Sequence, residues 1–218
     1  MSKRKAFLFD LNGTMIDDMQ YHIQAWHRIL NDLGANLSLE RMKEECYGKN
    51  GELLERMFPG RFSEAEKKEM SLEKEKKYQA QYKPYLALLP GLDGFLKTAH
   101  ESGIKMAIGS AAIMFNIDFV LDNLNIRSYF DVIVSADDVL ISKPDPETYL
   151  SCASLLQYDP ADCIVFEDST KGVESAERAG MKAVVITTLH QPYEFEPYSN
   201  VLMCVKDYTD VRMEELFK

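Results

Sequence analysis

Five short, largely apolar runs recur along this chain, at residues 6–9, 104–108, 131–134, 163–166 and 183–186. Each is too short for a helix and is apolar at successive rather than alternate positions, as strands covered on both faces are. Helix-period segments separate the later runs, residues 146–157 and 170–179 among them. Strands alternating with helices predict an α/β fold, a Rossmann-like doubly wound parallel sheet.

Residues 18–84 interrupt that rhythm. They hold no strand-like run but four helix-period ones, at 19–33, 39–46, 52–58 and 63–82. The expected organisation is therefore a core formed by residues 1–17 and 85–218, with an α-helical cap domain inserted at 18–84. Local punctuation agrees: Gly34 sits where a helix end favours glycine, Ser63 and Glu66 have capping-box spacing, and Pro84 stops the last helix. The insert carries 12 acidic and 12 basic residues, which places the whole formal charge of −10 on the core. Within the insert, the run from Lys67 to Lys77 reads as a solvated helix face with i,i+4 ion pairs.

A chain of 218 residues with this acidity repels phosphate backbones and anionic lipid, and its sequence offers no basic patch in compensation. Nucleic-acid and membrane-surface roles are disfavoured. Cys46, Cys152, Cys163 and Cys204 are far apart with no C-x-x-C pair, which suggests neither a zinc site nor a disulfide framework. A reducing, cytoplasmic setting is expected. The start Met1-Ser2-Lys3-Arg4-Lys5 is basic like a signal n-region, but Asp10 cuts short the apolar run that follows. No stretch approaches the ~20 apolar residues of a membrane span. The expected state is a monomer whose partner is a small molecule.

In open α/β sheets ligands bind beyond the carboxyl ends of the strands, so the residues just after each run carry the functional argument. Asp10-Leu11-Asn12-Gly13-Thr14 closes the first run, Gly109-Ser110 the second, and Ser142-Lys143-Pro144 lies beyond the third. Glu167-Asp168-Ser169-Thr170 closes the fourth. A carboxylate that attacks a phosphate ester needs a cation to offset the repulsion between two anions, and Mg²⁺ suits that task. Asp10, Glu167 and Asp168 supply carboxylates for it. Lys143 would neutralise nucleophile and phosphoryl oxygens, Ser110 would donate a hydrogen bond to a phosphoryl oxygen, and Gly13 permits a sharp turn beside the substrate. Singly, each has a structural reading: Asp10 and Ser110 as caps, Lys143 as a solvated side chain, Glu167 and Asp168 as helix-start charges.

Taken in order, Asp10-x-Asn12-Gly13-Thr14, Ser110, Lys143-Pro144 and Glu167-Asp168 resemble the four motifs of the haloacid dehalogenase superfamily of phosphotransferases. The likeness spans nearly the whole chain, and the helical insert sits where the β-phosphoglucomutase-like phosphatases carry their cap. The resemblance implies that Asp10 is phosphorylated, with Asn12, Ser110 and Lys143 as the other catalytic positions. It implies Mg²⁺ bound by Asp10, the Asn12 backbone carbonyl, Glu167 and Asp168, and a cap that closes over a small phosphorylated substrate. Substrate contacts are implied for His22, Trp26, Gly48, Lys49, Asn50 and Ala111. The residues by themselves favour a structural histidine at 22 and core packing for Trp26.

Two departures bear on activity. The family pattern has a second aspartate two residues after the nucleophile, which protonates the leaving oxygen and then activates water, whereas this chain has Asn12. An amide cannot exchange that proton, and a lost general acid–base costs about 10²–10⁴-fold, so impaired turnover is expected. The second departure concerns substrate. Ala111-Ala112-Ile113-Met114 follow Ser110 where β-phosphoglucomutases place polar residues for a second phosphate, and Lys49 stands in for their arginine as a looser point charge. A Mg²⁺-dependent phosphatase acting on a sugar phosphate is the favoured reading, with a β-phosphoglucomutase or a silent phosphosugar-binding protein as alternatives.

Overall fold

The computed structural model describes residues 5–218, so Met1 to Arg4 of the basic N-terminal stretch lie outside the described residues. The chain divides into two compact units: Asp18–Leu86, and a second unit made of the chain up to Asp17 together with Ala87–Lys218.

The first unit is helical, with α1 (Met19–Asp32), α2 (Leu39–Glu45), α3 (Asn50–Met57) and α4 (Glu64–Tyr82). Helix α1 buries His22, Ile23, Trp26 and Leu30, one stripe at helical spacing. It ends where Gly34, at φ +95°, donates its N–H to the Asn31 carbonyl. Ser63 and Glu66 form the capping box that starts α4. The buried stripe of α4 is Lys67, Ser71, Lys74, Glu75, Tyr78 and Tyr82. The expected solvated face is thus real for Lys68, Glu69, Glu73, Lys76 and Lys77, and wrong for Lys67, Lys74 and Glu75. Charged residues are buried here because they are paired: Lys67 with Glu55 at 3.0 Å, and Lys74 with Glu75 at 2.9 Å.

In the second unit, β1 (Ala6–Phe9), β2 (Lys105–Gly109), β3 (Val132–Val134), β4 (Cys163–Glu167), β5 (Lys182–Ile186) and β6 (Val201–Val205) form one sheet. Its order is β3-β2-β1-β4-β5-β6, and every neighbouring pair is parallel. The helices are α5 (Leu92–Glu101), α6 (Met114–Leu124), α7 (Glu147–Leu156) and α8 (Thr170–Arg178). The five runs read from the sequence are five of these strands. Strand β6 is an addition: its link from β5 holds a short 3₁₀ turn, Pro192–Phe195, rather than a helix, so the strand–helix rhythm gave no cue.

Alternation of side chains explains why β1 is apolar throughout. Ala6 and Leu8 enter a cluster with Tyr149, Cys152 and Ala153 of α7 and Val173 and Ala176 of α8. Phe7 and Phe9 serve the opposite face, where Phe7 lies 5.6 Å from Phe95 of α5 and Phe9 stacks 4.5 Å from Phe166. Helices therefore cover both faces, and the sheet is the doubly wound one expected.

Candidate active site

Because β1 lies between β2 and β4, the residues that follow these three strands are neighbours in space. Register places Phe9 beside Ile108 and Phe166, so Asp10, Gly109 and Glu167 occupy equivalent levels at the carboxyl edge. Asp10 donates its backbone N–H to the Phe166 carbonyl at 3.0 Å, which fixes where its side chain starts. The turn after it is held by Gly13 N–H to Ile16 O (2.9 Å) and Met15 N–H to Leu11 O (2.9 Å), with Gly13 at φ +74°. That angle suits glycine. Thr188 Oγ1 donates to the Gly13 carbonyl at 2.6 Å and Tyr208 OH to the Thr14 carbonyl at 3.2 Å, anchoring this turn to distant parts of the chain.

Lys143 ties the carboxylates together. Its Nζ donates to Asp10 Oδ1 and to Glu167 Oε1, each at 2.7 Å, and lies 4.6 Å from the Tyr149 ring centroid. All of these groups are buried. Burial alone would lower the Lys143 pKa, but the Asp10 and Glu167 carboxylates outweigh it and hold the ammonium well above its ordinary value. Glu167 moves oppositely: burial pushes its carboxyl up, and the Lys143 charge together with its hydrogen bonds brings it below the ordinary 4.5. Burial, followed by the Glu167 and Asp10 charges, raises the Tyr149 hydroxyl well above 10.

One oxygen each from Asp10, Glu167 and Asp168 lie within 4.8 Å of one another. Buried carboxylate oxygens are hard donors, and their chemistry fits a divalent cation such as Mg²⁺. Thr14 Oγ1 reaches Asp168 Oδ1 at 3.4 Å. Ser110 is buried, donates its N–H to the Val134 carbonyl (3.0 Å) and accepts at Oγ from the Ala112 N–H (3.1 Å), so its hydroxyl shapes the turn that carries half-buried Ala111.

Of the positions expected on the insert, three are brought together within the helical unit. Trp26 Nε1 donates to Asn50 Oδ1 at 3.2 Å, and Asn50 Nδ2 to Glu75 Oε1 at 2.7 Å. Lys74 Nζ bonds both Glu75 Oε1 (2.9 Å) and His22 Nδ1 (2.5 Å). An ammonium has no lone pair, so His22 Nδ1 is the acceptor and Nε2–H donates to Asp18 Oδ2 at 3.2 Å. Tyr78 OH also donates to Asp18 Oδ2, at 2.5 Å. Gly48 takes φ +75°, and the Lys49 N–H donates to Glu52 Oε2 at 3.0 Å at the start of α3. Tyr149, Gly172, Lys74 and Glu75 were missed from the sequence. Only the spacing of Ser169 and Gly172, a cap and the N–H it accepts at 3.0 Å, could have hinted at the second of these.

A parallel doubly wound sheet with a lysine-bridged carboxylate cluster beyond its strands is the architecture of Rossmann-like α/β proteins, a class that binds its ligands at the carboxyl edge. The chain belongs to the haloacid dehalogenase-like hydrolases: the model of that family matches residues 7–186. It is 31% identical over 220 residues to the β-phosphoglucomutase of Bacillus subtilis, covering 97% of this chain and 93% of that protein. Fructose-1-phosphate phosphatase YqaB of Escherichia coli is 29% identical over 184 residues, covering 84% and 97%. The crystal structure of a β-phosphoglucomutase from Clostridium difficile superposes with a TM-score of 0.84 at 27% identity, covering 98% and 95%. These place the chain in the β-phosphoglucomutase-like branch of phosphatases and phosphomutases. Among the described residues, no helix is long and apolar enough to cross a membrane.

Proposed function

We propose that this protein is a phosphatase of a small phosphorylated sugar, working through an aspartyl-phosphate at Asp10. The observation that carries the reading is the buried Lys143 ammonium held 2.7 Å from Asp10 Oδ1. It sets a positive charge beside the nucleophilic carboxylate and offsets the charge of an approaching phosphoryl group. Asp10 forms the new O–P bond while the bond to the sugar oxygen breaks. Ser110 orients the phosphoryl oxygens. Asp10, Asp168 and the Asn12 backbone carbonyl would hold Mg²⁺ beside Glu167, and a bound Mg²⁺ would supply charge neutralisation for two anions in contact. Asn12 stands where a proton donor belongs, so the sugar alkoxide leaves without side-chain help and water attacks phosphorylated Asp10 without a base. Slow turnover with a long-lived phosphoprotein is the result.

The named relatives support the substrate class, since YqaB acts on fructose 1-phosphate. The 31% identity to a mutase favours a second reading, β-phosphoglucomutase; the apolar Ala111 to Met114 stretch weighs against a grip on a second phosphate. A panel of sugar phosphates, nucleotides, acyl phosphates and pyrophosphate with Mg²⁺ tests both readings. The phosphatase reading expects phosphate release that Asp10→Asn abolishes. Turnover of β-glucose 1-phosphate only with a bisphosphate activator would establish the mutase, and no release from any ester would leave a silent phosphosugar-binding protein.

A further inference from the structure

Five hydrogen-bond donors converge on the Glu167 carboxylate. Oε1 accepts from Lys143 Nζ (2.7 Å) and from the Tyr149 hydroxyl (2.7 Å). Oε2 accepts from the backbone N–H groups of Asp168 (3.1 Å) and Ser169 (3.0 Å) and from Ser169 Oγ (3.0 Å). A carboxylate offers about four lone-pair sites, and these five donors fill them. Coordination of Mg²⁺ needs a lone pair directed at the ion, so binding by Glu167 would leave a buried donor unmatched. Space is closed as well: a Cβ on Gly172 would fall 1.8 Å from Glu167 Cδ, so the carboxyl lies flat against the first turn of α8.

Tyr149 completes the arrangement from α7. It is fully buried, its ring stands 4.6 Å from Lys143 Nζ, and its hydroxyl reaches the same Glu167 oxygen as that ammonium. Ring and hydroxyl therefore grip one ion pair at two points. We propose that Glu167 is a strut that aims Lys143 at Asp10 rather than a metal ligand, and that Tyr149 is the positioning residue that fixes this strut. The proposal rests on the phosphatase reading for its kinetic test and on geometry alone for its metal test.

Tyr149→Phe keeps the ring and deletes one donor. With p-nitrophenyl phosphate and saturating Mg²⁺, kcat should fall about tenfold and KM should fall with it, because loss of phosphate limits turnover and the aim of Lys143 matters most as charge returns to Asp10. Melting temperature and the Mg²⁺ affinity read by calorimetry should match the parent. Glu167→Gln should weaken calorimetric Mg²⁺ binding by about tenfold, the low end for a group behind the ligands, and Asp168→Asn by well over about a hundredfold. Parental kcat in Tyr149→Phe overturns the proposal. So does a kcat loss accompanied by a raised KM and a lowered melting temperature, which marks general loosening. Mg²⁺ binding lost in Glu167→Gln as fully as in Asp168→Asn also overturns it. Should Glu167→Gln not fold, Tyr149→Phe decides by itself. Should the parent hydrolyse no phosphoester, the phosphatase reading falls and the Mg²⁺ titrations decide this proposal.

Discussion

In the proposed reaction Asn12 works against the chemistry assigned to Asp10 and Lys143, and its replacement is the sharpest residue-scale test. Asn12→Asp should raise single-turnover rates on alkyl phosphates by about 10²–10⁴-fold, since an alkoxide needs a proton as it leaves. On p-nitrophenyl phosphate the first step should change little, because nitrophenolate departs unaided, and the gain should appear in loss of phosphate from Asp10. Mg²⁺ affinity should hold steady, the proposed ligand there being the backbone carbonyl. An aspartate variant no faster on either substrate would favour a binding protein. Asp10, Lys143, Glu167 and Asp168 stood out in the sequence only as a set, an ordered series of motifs beyond the strands, since each alone has a structural reading. Tyr149 did not stand out. An aromatic residue on the inner face of a helix is the usual filling of a core, and its value lies in one hydroxyl whose partner is 18 positions away.

At the scale of elements, α8 and α4 each carry a consequence. Alanine normally suits a helix better than glycine by about 1 kcal/mol, yet Gly172→Ala should destabilise. The added methyl meets a carboxyl that five donors hold in place, and overpacking of this kind costs about 1–3 kcal/mol. Urea unfolding should show the loss, and activity should fall with it; a variant as stable and as active as the parent would mean that Glu167 moves aside freely. In α4, burial would raise the Glu75 carboxyl, but the Lys74 ammonium and the Asn50 hydrogen bond bring it below its ordinary 4.5. A carboxyl depressed by folding contributes stability that is fully present above about pH 4.5 and lost as pH falls through the lower folded value. The stability of the Asp18–Leu86 unit should therefore decline below pH 4.5, and Lys74→Met should flatten that decline. Chemical denaturation followed at several acidic pH values reads both. The same helix shows why its interior was illegible: a period search registers apolar stripes, whereas α4 buries charges in pairs, and pairing across helices leaves no local trace.

For the molecule as a whole, stripping divalent ions leaves Asp10, Glu167 and Asp168 close together with Lys143 as their cation among the described contacts. Mg²⁺ should raise the melting temperature of metal-stripped protein, the gain reaching about 2.7 kcal/mol at one hundred times its dissociation constant. An Asp168→Asn protein that shows the parent's rise would sink the assignment of this cluster as the cation site. Much of the fold was legible because the βα units repeat one rhythm, and outside the helical insert the missed strand is β6, which follows β5 without a helix. The central place of β1 has a further result during synthesis. Its residues Phe7, Leu8 and Phe9 leave the ribosome well before its two sheet neighbours, since β2 begins only at Lys105 and β4 at Cys163. Until both have emerged, an aromatic strand with two open edges waits on the nascent chain, a binding target for chaperones and a template for misassociation. The helical segment from Asp18 to Leu86 is contiguous and can collapse meanwhile. A strand made early and paired late is sheltered only when the second of its neighbours arrives, so slower synthesis of the stretch between them should lower the yield of folded protein.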